Sequence, residues 1–155
     1  MKYQRDFLRY FEQVEAGDIV VCDKVARATM RALDEIRNPA KWHYDEAMAA
    51  KHIDFMERFC MTAVGSAPRP ISFEPFQKSI IAHAYGMVDD EGIRKYFEEL
   101  WMMARKNGKT TVGAALEVDA AFNDGEYAPH IYNAATSKDQ AMESYEPCYN
   151  MLKLN

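Results

Sequence analysis

A nine-residue stretch with the sequence MARKNGKTT, residues 103–111, is the feature that most constrains what this chain can fold into. It follows an aromatic and apolar segment, Tyr96–Met103, and leads into an alanine-rich segment, Thr110–Phe122. The first segment predicts a strand and the second predicts a helix. A Gly-Lys-Thr sequence between a strand and a helix is the setting of a phosphate-binding loop of the Walker A type.

The chemistry of such a loop depends on three residue types in this order. Backbone N–H groups at a helix start have no partner within the helix, and the helix dipole adds partial positive charge there. Gly108 lets the backbone approach a phosphate, Lys109 supplies a mobile positive charge, and the Thr110 hydroxyl is placed to bind Mg²⁺. Met103 stands where the standard pattern has a glycine, so a solvated basic turn that caps a helix is the alternative interpretation.

The segments around this loop predict an α/β fold. Apolar periodicity predicts helices over residues 7–15 and 19–36 and from Asp45 to Cys60, and residues 65–70 (GSAPRP) mark a boundary. A short helix is expected over residues 77–85, with Pro75 suited to its start and Gly86 ending it in a left-handed turn, and an acidic turn follows over residues 87–94. A second strand over residues 130–135 and a helix capped by Ser137 complete the alternation, which predicts parallel strands with crossover helices.

Composition narrows the class of protein further. The 155 residues carry a net charge of −5, which argues against a broad nucleic-acid-binding face. Three distant cysteines suggest neither a disulfide framework nor a zinc site, and the four histidines lack metal-ligand spacing. The start of the chain lacks an apolar signal segment, and no apolar run approaches the roughly 20 residues that cross a bilayer. We therefore expect a soluble protein of the cytoplasm.

Several motifs in order resemble the large terminase subunits of tailed bacteriophages. The loop ARKNGKT, residues 104–110, closely resembles the deviant phosphate loop of that family. IDFMERF at 53–59 resembles the helix before its ATPase core, and FEPFQK at 73–78 resembles its adenine-contacting glutamine motif, followed by Ile80-Ile81 and Tyr85-Gly86. NAATSKDQA at 133–141 resembles the segment after its second core strand. The likeness runs from about residue 20 to the end.

This resemblance implies a fold, a set of ligands and roles for named residues. The fold is a helical N-terminal segment, residues 1–65, followed by an incomplete P-loop NTPase core of the ASCE type, residues 66–155. ATP and Mg²⁺ are the implied ligands, with Thr110 on the metal and Lys109 and Arg105 in catalytic roles, Arg105 near the γ-phosphate. The implied nucleotide-binding residues are Phe76, Gln77, Arg105, Lys106, Asn107, Gly108, Lys109, Thr110 and Thr111.

The implied function is ATP-driven packaging of viral DNA in the host cytoplasm. The family's partners are double-stranded viral DNA, the portal and the small terminase subunit, and its motors work as rings. An apolar strand ending in Asp-Glu, which hydrolysis in this superfamily needs, does not follow Thr111, and the acidic cluster of the nuclease is also missing. We therefore expect a chain that stops before the acidic Walker B motif and hydrolyses ATP poorly, so whether it is an enzyme stays open.

Three other functions stay open at this point. The helices before Gly65 could dock a protein partner while the loop is a relic. The chain could be a non-catalytic regulator of phage assembly that copurifies with a full-length terminase. A helical nucleic-acid-binding protein without a nucleotide site is the third alternative, and the acidic charge balance argues against it.

Overall fold

Residues 6–62 and 67–154 are described by the computed structural model, and they fall into two units. The first unit extends to Ile53 and resumes over Phe73–Leu100, whereas the second contains Asp54–Ser72 and the chain from Trp101 onward. The predicted domain boundary at Gly65 and Ser66 lies outside the described residues. No helix in the described ranges is long and apolar enough to span a membrane.

Helices dominate the described residues, and the strands are two residues long. In chain order the elements are α1 (Arg9–Ala16, preceded by a 3-10 turn at Asp6–Leu8), α2 (Asp23–Arg37), β1 (His43–Tyr44), α3 (Glu46–Phe59), β2 (Met61–Thr62), β3 (Arg69–Pro70), α4 (Pro75–Gly86), β4 (Met87–Val88), α5 (Lys109–Phe122) and α6 (Lys138–Lys153). The first unit pairs β1 with β4, and the second pairs β2 with β3; both pairs are antiparallel.

The predicted helices are confirmed because their signals are local. Gly17 ends α1 with a φ of +81°, which a glycine adopts without steric cost. The Asp45 carboxylate accepts the N–H groups of Ala47 and Met48, at 2.8 and 3.2 Å, and caps α3 as expected. Ser137 accepts the N–H of Gln140 at 3.3 Å and caps α6 in the same way.

The two predicted strands and their parallel arrangement are wrong for the described residues. Tyr96–Met103 and residues 130–135 have no regular structure, and the strands that do form pair antiparallel. Phe97 and Leu100 leave 83% and 86% of their surface in water. A strand needs a hydrogen-bonded neighbour, and a strand with apolar residues on both faces needs cover on both sides. Among the described residues, these two segments have neither a hydrogen-bonded neighbouring strand nor cover on both faces.

Gly86 ends α4 for a different reason from the one expected. Gly86 is not among the glycines with a left-handed φ, so the expected left-handed turn is not formed there. A Cβ built at residue 86 would lie 2.6 Å from Cε2 of Tyr44 and 3.1 Å from the carbonyl oxygen of Asp45. The Asp45 N–H also donates to the Gly86 carbonyl at 2.8 Å. Glycine is therefore required here for the close approach of β1 to the end of α4.

A Gly86→Ala substitution should destabilise the protein by about 1–3 kcal/mol, because the added methyl group overlaps the Tyr44 ring. Gly113→Ala is the matched control, since a Cβ at this position in α5 meets nothing within 4 Å. That control should stabilise the protein by about 0.5–1 kcal/mol through helix propensity. Chemical denaturation of both variants measures the difference, and equal stabilities would contradict the close approach.

A charged cluster in the first unit joins α2, α4 and the chain after β4. The Glu35 carboxylate accepts hydrogen bonds from Lys95 Nζ at 2.8 Å, from the Tyr96 hydroxyl at 2.6 Å and from Arg31 Nε at 3.2 Å. His83 Nε2 lies 3.5 Å from the same carboxylate. Burial raises the pKa of Glu35, but the hydrogen bonds from Lys95 and Tyr96 and the positive charge of Lys95 outweigh it and lower this pKa to about 2. Glu35 is thus held ionised at the centre of this cluster.

The stabilisation that depends on Glu35 should be lost in acid. Its folded-state pKa, about 2, lies below the ordinary value of 4.5, so this stabilisation is fully present above pH 4.5 and disappears as the pH falls towards 2. Between these pH values the free energy of unfolding should fall less steeply in Glu35→Gln than in the wild type. Glu12→Gln, on the exposed face of α1, is the control and should keep the wild-type slope. Identical slopes in all three proteins would contradict this role of Glu35.

Candidate phosphate-binding loop

The sign of φ alternates along the backbone from Lys106 to Lys109. Lys106 has a φ of +68° and Gly108 a φ of +75°, whereas Asn107 is not among the residues with positive φ and Lys109 is helical. Such alternation turns successive N–H groups towards one side of the chain and forms a concavity that binds anions. A positive φ is common for glycine but uncommon for lysine. The backbone conformation of the loop, and not only its charged side chains, is therefore of the kind that binds anions.

Helix α5 begins at this loop without a side-chain cap. Gly108 is its N-cap residue and has no side chain to accept the N–H groups of the first turn. The first helical hydrogen bond runs from the Val112 N–H to the Gly108 carbonyl oxygen, at 2.9 Å. The positive end of the α5 dipole thus lies where the loop joins the helix.

The charge around the loop is positive and exposed. Arg105, Lys106 and Lys109 lie on the surface, and no carboxylate among the described residues pairs with them. Asn107 Nδ2 donates to the Ala104 carbonyl at 3.3 Å and closes the turn from within. A polyphosphate would therefore meet three cationic side chains that are not neutralised by acidic side chains of the described chain.

The first turn of α5 also carries a hydroxyl group. The exposed Thr110 hydroxyl lies on the first turn of α5, directly after Lys109. No group of three histidine, cysteine or acidic side chains among the described residues could hold a metal ion. In phosphate-transfer sites Mg²⁺ takes most of its ligands from substrate phosphates and water, so a single protein hydroxyl is the kind of ligand that it would need here.

Helix α5 is held in place by its packing against α6. Its buried face consists of small side chains, among them Val112, Ala115 and Val118, which allow α6 to approach closely. The acidic side chains of α5 have partners of their own: the Glu117 carboxylate accepts a hydrogen bond from Asn133 Nδ2 at 3.1 Å.

Cys148 of α6 lies near the same carboxylate. Burial, together with the nearby Glu117, raises the pKa of the Cys148 thiol to about 11. Both acidic side chains of α5 are engaged, because the fully buried Asp119 accepts Asn123 Nδ2 at 2.8 Å.

The other predicted nucleotide-binding residues, Phe76 and Gln77, lie on the first turn of α4. Phe76 is half-buried and packs edge-on against Tyr10, with ring centroids 6.2 Å apart. The Gln77 side chain is 5% exposed, and its Oε1 accepts the Glu74 N–H at 2.9 Å. The Glu74 carboxylate accepts the Gln77 N–H in return, so these two residues form a capping box.

The sequence-predicted residues thus form two groups. Arg105, Lys106, Asn107, Gly108, Lys109, Thr110 and Thr111 form one continuous loop and helix start in the second unit, whereas Phe76 and Gln77 belong to the first unit. The structure brings together the members of each group.

Sequence reasoning missed the residues that support these groups. Tyr10 is 66 positions from Phe76, and Glu117 is 16 positions from Asn133, so no local pattern links them. The capping box was detectable, because Glu74 and Gln77 have the three-residue spacing that such boxes require.

Comparison with known proteins gives one family. Residues 75–155, just over half of the chain, match the family model described as terminase large subunit, ATPase domain. This range contains α4, the loop, α5 and α6. No curated protein and no solved structure matches the chain.

Proposed function

The chain belongs to the terminase large-subunit ATPase family, and we propose that it binds ATP through residues 105–111 as part of a motor that packages viral DNA. This family supplies the ATPase component of phage packaging motors and uses nucleotide. The observation that carries the proposal is the alternating backbone of Lys106–Lys109 at the uncapped start of α5, which is suited to a polyphosphate.

Each residue of the loop has a defined task in this proposal. The N–H groups from Asn107 to Thr111 donate to phosphate oxygens, and Lys109 brings its amine to the β- and γ-phosphates. Thr110 contributes its hydroxyl to the coordination of Mg²⁺, which neutralises phosphate charge when bound. Arg105, which is exposed, would stabilise charge that develops on the γ-phosphate in this proposal.

Hydrolysis by this chain is proposed to be slow. Phosphoryl transfer to water needs a carboxylate that orients the attacking water and another near Mg²⁺. Glu117 is bonded to Asn133, and Asp119 is buried against Asn123, so the acidic residues of α5 serve its packing. The other described acidic residues after the loop, Asp124, Glu126, Asp139, Glu143 and Glu146, do not follow a strand.

The partners follow from the packaging reaction. Double-stranded viral DNA is the proposed substrate of the motor, and the portal and the small terminase subunit are its proposed protein partners. The proposed place of action is the cytoplasm of the bacterial host, where subunits would assemble into a ring. These assignments are supported by the family match and by the motifs at 53–59, 73–78 and 133–141.

A second candidate function is a protein-interaction or regulatory module in phage assembly. Several large apolar side chains are exposed, among them Phe97, Leu100 and Met102 and, along α6, Tyr145 and Tyr149. Exposed apolar patches often mark contacts with other proteins. In this alternative the loop binds no nucleotide, so a nucleotide-binding measurement distinguishes the two functions.

Thermal unfolding with and without Mg²⁺-ATP should separate the wild type from Lys109→Ala. A ligand at 100 times its dissociation constant stabilises the folded state by about 2.7 kcal/mol, or roughly 5–10 °C for a chain of this size. The wild-type midpoint should rise by this amount, and the variant should show little rise because it lacks the phosphate-binding amine.

Lys138→Ala is the matched control, since Lys138 is also an exposed first residue of a helix. It should keep the full response to Mg²⁺-ATP. An equal rise in all three proteins would show that ATP binds elsewhere. The absence of any rise in the folded wild type would favour the interaction module.

A further inference from the structure

We propose that Asn107 is a site of spontaneous deamidation, at which the Gly108 nitrogen closes a succinimide ring and the loop gains a negative charge. This inference does not depend on ATP binding, because it follows from the covalent chemistry of two neighbouring residues. Asn107 is the one asparagine of the chain that a glycine follows. Both residues are exposed, and both precede α5, which begins at Lys109.

The reaction needs a nitrogen nucleophile next to a side-chain amide. The Gly108 nitrogen attacks Cγ of Asn107, a C–N bond forms, and the side-chain amide leaves as ammonia, which takes up the proton of the Gly108 N–H. Water then opens the succinimide. Attack of water at Cγ gives aspartate, whereas attack at the main-chain carbonyl gives isoaspartate, in which the backbone passes through Cβ and Cγ. Water is the co-reactant, and nothing is oxidised or reduced.

The backbone at Gly108 meets the steric and hydrogen-bonding demands of this attack. Glycine has no Cβ, so its nitrogen can approach the Asn107 side chain without a clash. The Gly108 N–H donates to no acceptor among the described residues, whereas its carbonyl oxygen accepts the Val112 N–H at 2.9 Å. The attack therefore breaks no hydrogen bond at the reacting nitrogen.

The charges around this pair of residues favour the reaction. The attacking species is a deprotonated nitrogen, and the intermediate carries negative charge on the Asn107 side-chain oxygen. Lys106 and Lys109 flank the pair in sequence, and the positive end of the α5 dipole lies where the loop joins the helix. Nearby positive charge stabilises both anions, as it does the intermediates of enzymatic acyl transfer. The features that suit the loop to an anion thus also promote its modification.

The other described asparagines lack this combination. Asn38 precedes a proline, which has no N–H to act as the nucleophile, and Asn150 lies inside α6. Asn123 and Asn133 precede larger residues, and their amides donate to carboxylates of α5 at 2.8 and 3.1 Å. These two residues are therefore internal controls in the same chain.

The modification changes what the loop can bind. Its product carries a carboxylate beside three cationic side chains and the N–H groups that the proposed function assigns to phosphate. Isoaspartate also adds a carbon atom to the backbone just before the uncapped start of α5. The modified loop thus contains an anion of its own, which competes with an external one.

Ageing of the folded wild type tests the proposal. The chain is held in mildly alkaline buffer without nucleotide, and circular dichroism confirms that it stays folded. Peptide mapping by mass spectrometry follows the amide-to-acid mass gain at each asparagine, and an isoaspartyl methyltransferase assay identifies isoaspartate. We expect Asn107 to convert about tenfold faster than Asn123 or Asn133, because only Asn107 has a glycine after it. Isoaspartate should exceed aspartate, and mildly acidic buffer should slow the conversion.

Asn107→Gln is the matched variant, because glutamine keeps the amide but would have to form a larger ring. It should show no comparable modification at this position after the same ageing. The proposal would be overturned by conversion of Asn107 no faster than that of Asn123 and Asn133, by a rate independent of pH, or by aspartate without isoaspartate.

Mg²⁺-ATP separates this inference from the proposed function. If the loop binds ATP, saturating Mg²⁺-ATP should slow the conversion of Asn107 several-fold, because phosphate then occupies the Gly108 N–H. The aged wild type should also lose part of its thermal response to Mg²⁺-ATP. Equal rates with and without Mg²⁺-ATP, with Asn107 still converting fastest, would support the modification site and contradict the proposed function.

Discussion

The uncapped start of α5 is the constraint on which the candidate site depends. A helix start leaves several N–H groups without a helical partner, and proteins usually satisfy them with a side chain. Here glycine occupies the N-cap position, and both this glycine and Lys106, two residues before it, have a positive φ. The N–H groups at this helix start therefore receive no hydrogen bond acceptor from an N-cap side chain, and we propose that a phosphate accepts from them. The packing of α5 against α6 fixes this helix start, and Glu117 and Asp119 contribute to that packing and to its local hydrogen bonds.

The sequence predicts the helices and the loop because their signals lie within a few residues. Gly17, Asp45 and Ser137 act at the helix ends where they were expected, and the Gly108-Lys109-Thr110 sequence begins a helix as predicted. The prediction of strands at 96–103 and 130–135 was wrong, because a strand needs a hydrogen-bonded partner strand and the sequence of one segment does not show whether such a partner exists. The role of Gly86 was also misjudged, because its close approach to Tyr44 is a tertiary contact.

The candidate site was predictable to a similar degree. The loop residues follow from motif spacing alone, whereas the surroundings of Phe76 and Gln77 do not. A glutamine beside a phenylalanine at a helix start resembles a base-reading motif, yet the structure shows its oxygen bonded to Glu74. In the Glu35 cluster only the pair with Arg31 lies within one helix turn, and the contact with Lys95, 60 positions away, has no local signature. The match over residues 75–155 places the loop and α4 in one ATPase family, and the structure adds the backbone conformation of the loop.

Backbone amide NMR tests most directly whether the N–H groups of the loop bind phosphate. Mg²⁺-ATP is added to the ¹⁵N-labelled chain while each amide resonance is followed. We predict saturable shifts concentrated on the amides of residues 106–111 and on the first turn of α5. If those amides stay unchanged while the chain remains folded, or if shifts scatter without saturating, residues 105–111 do not form a nucleotide site and the account is wrong.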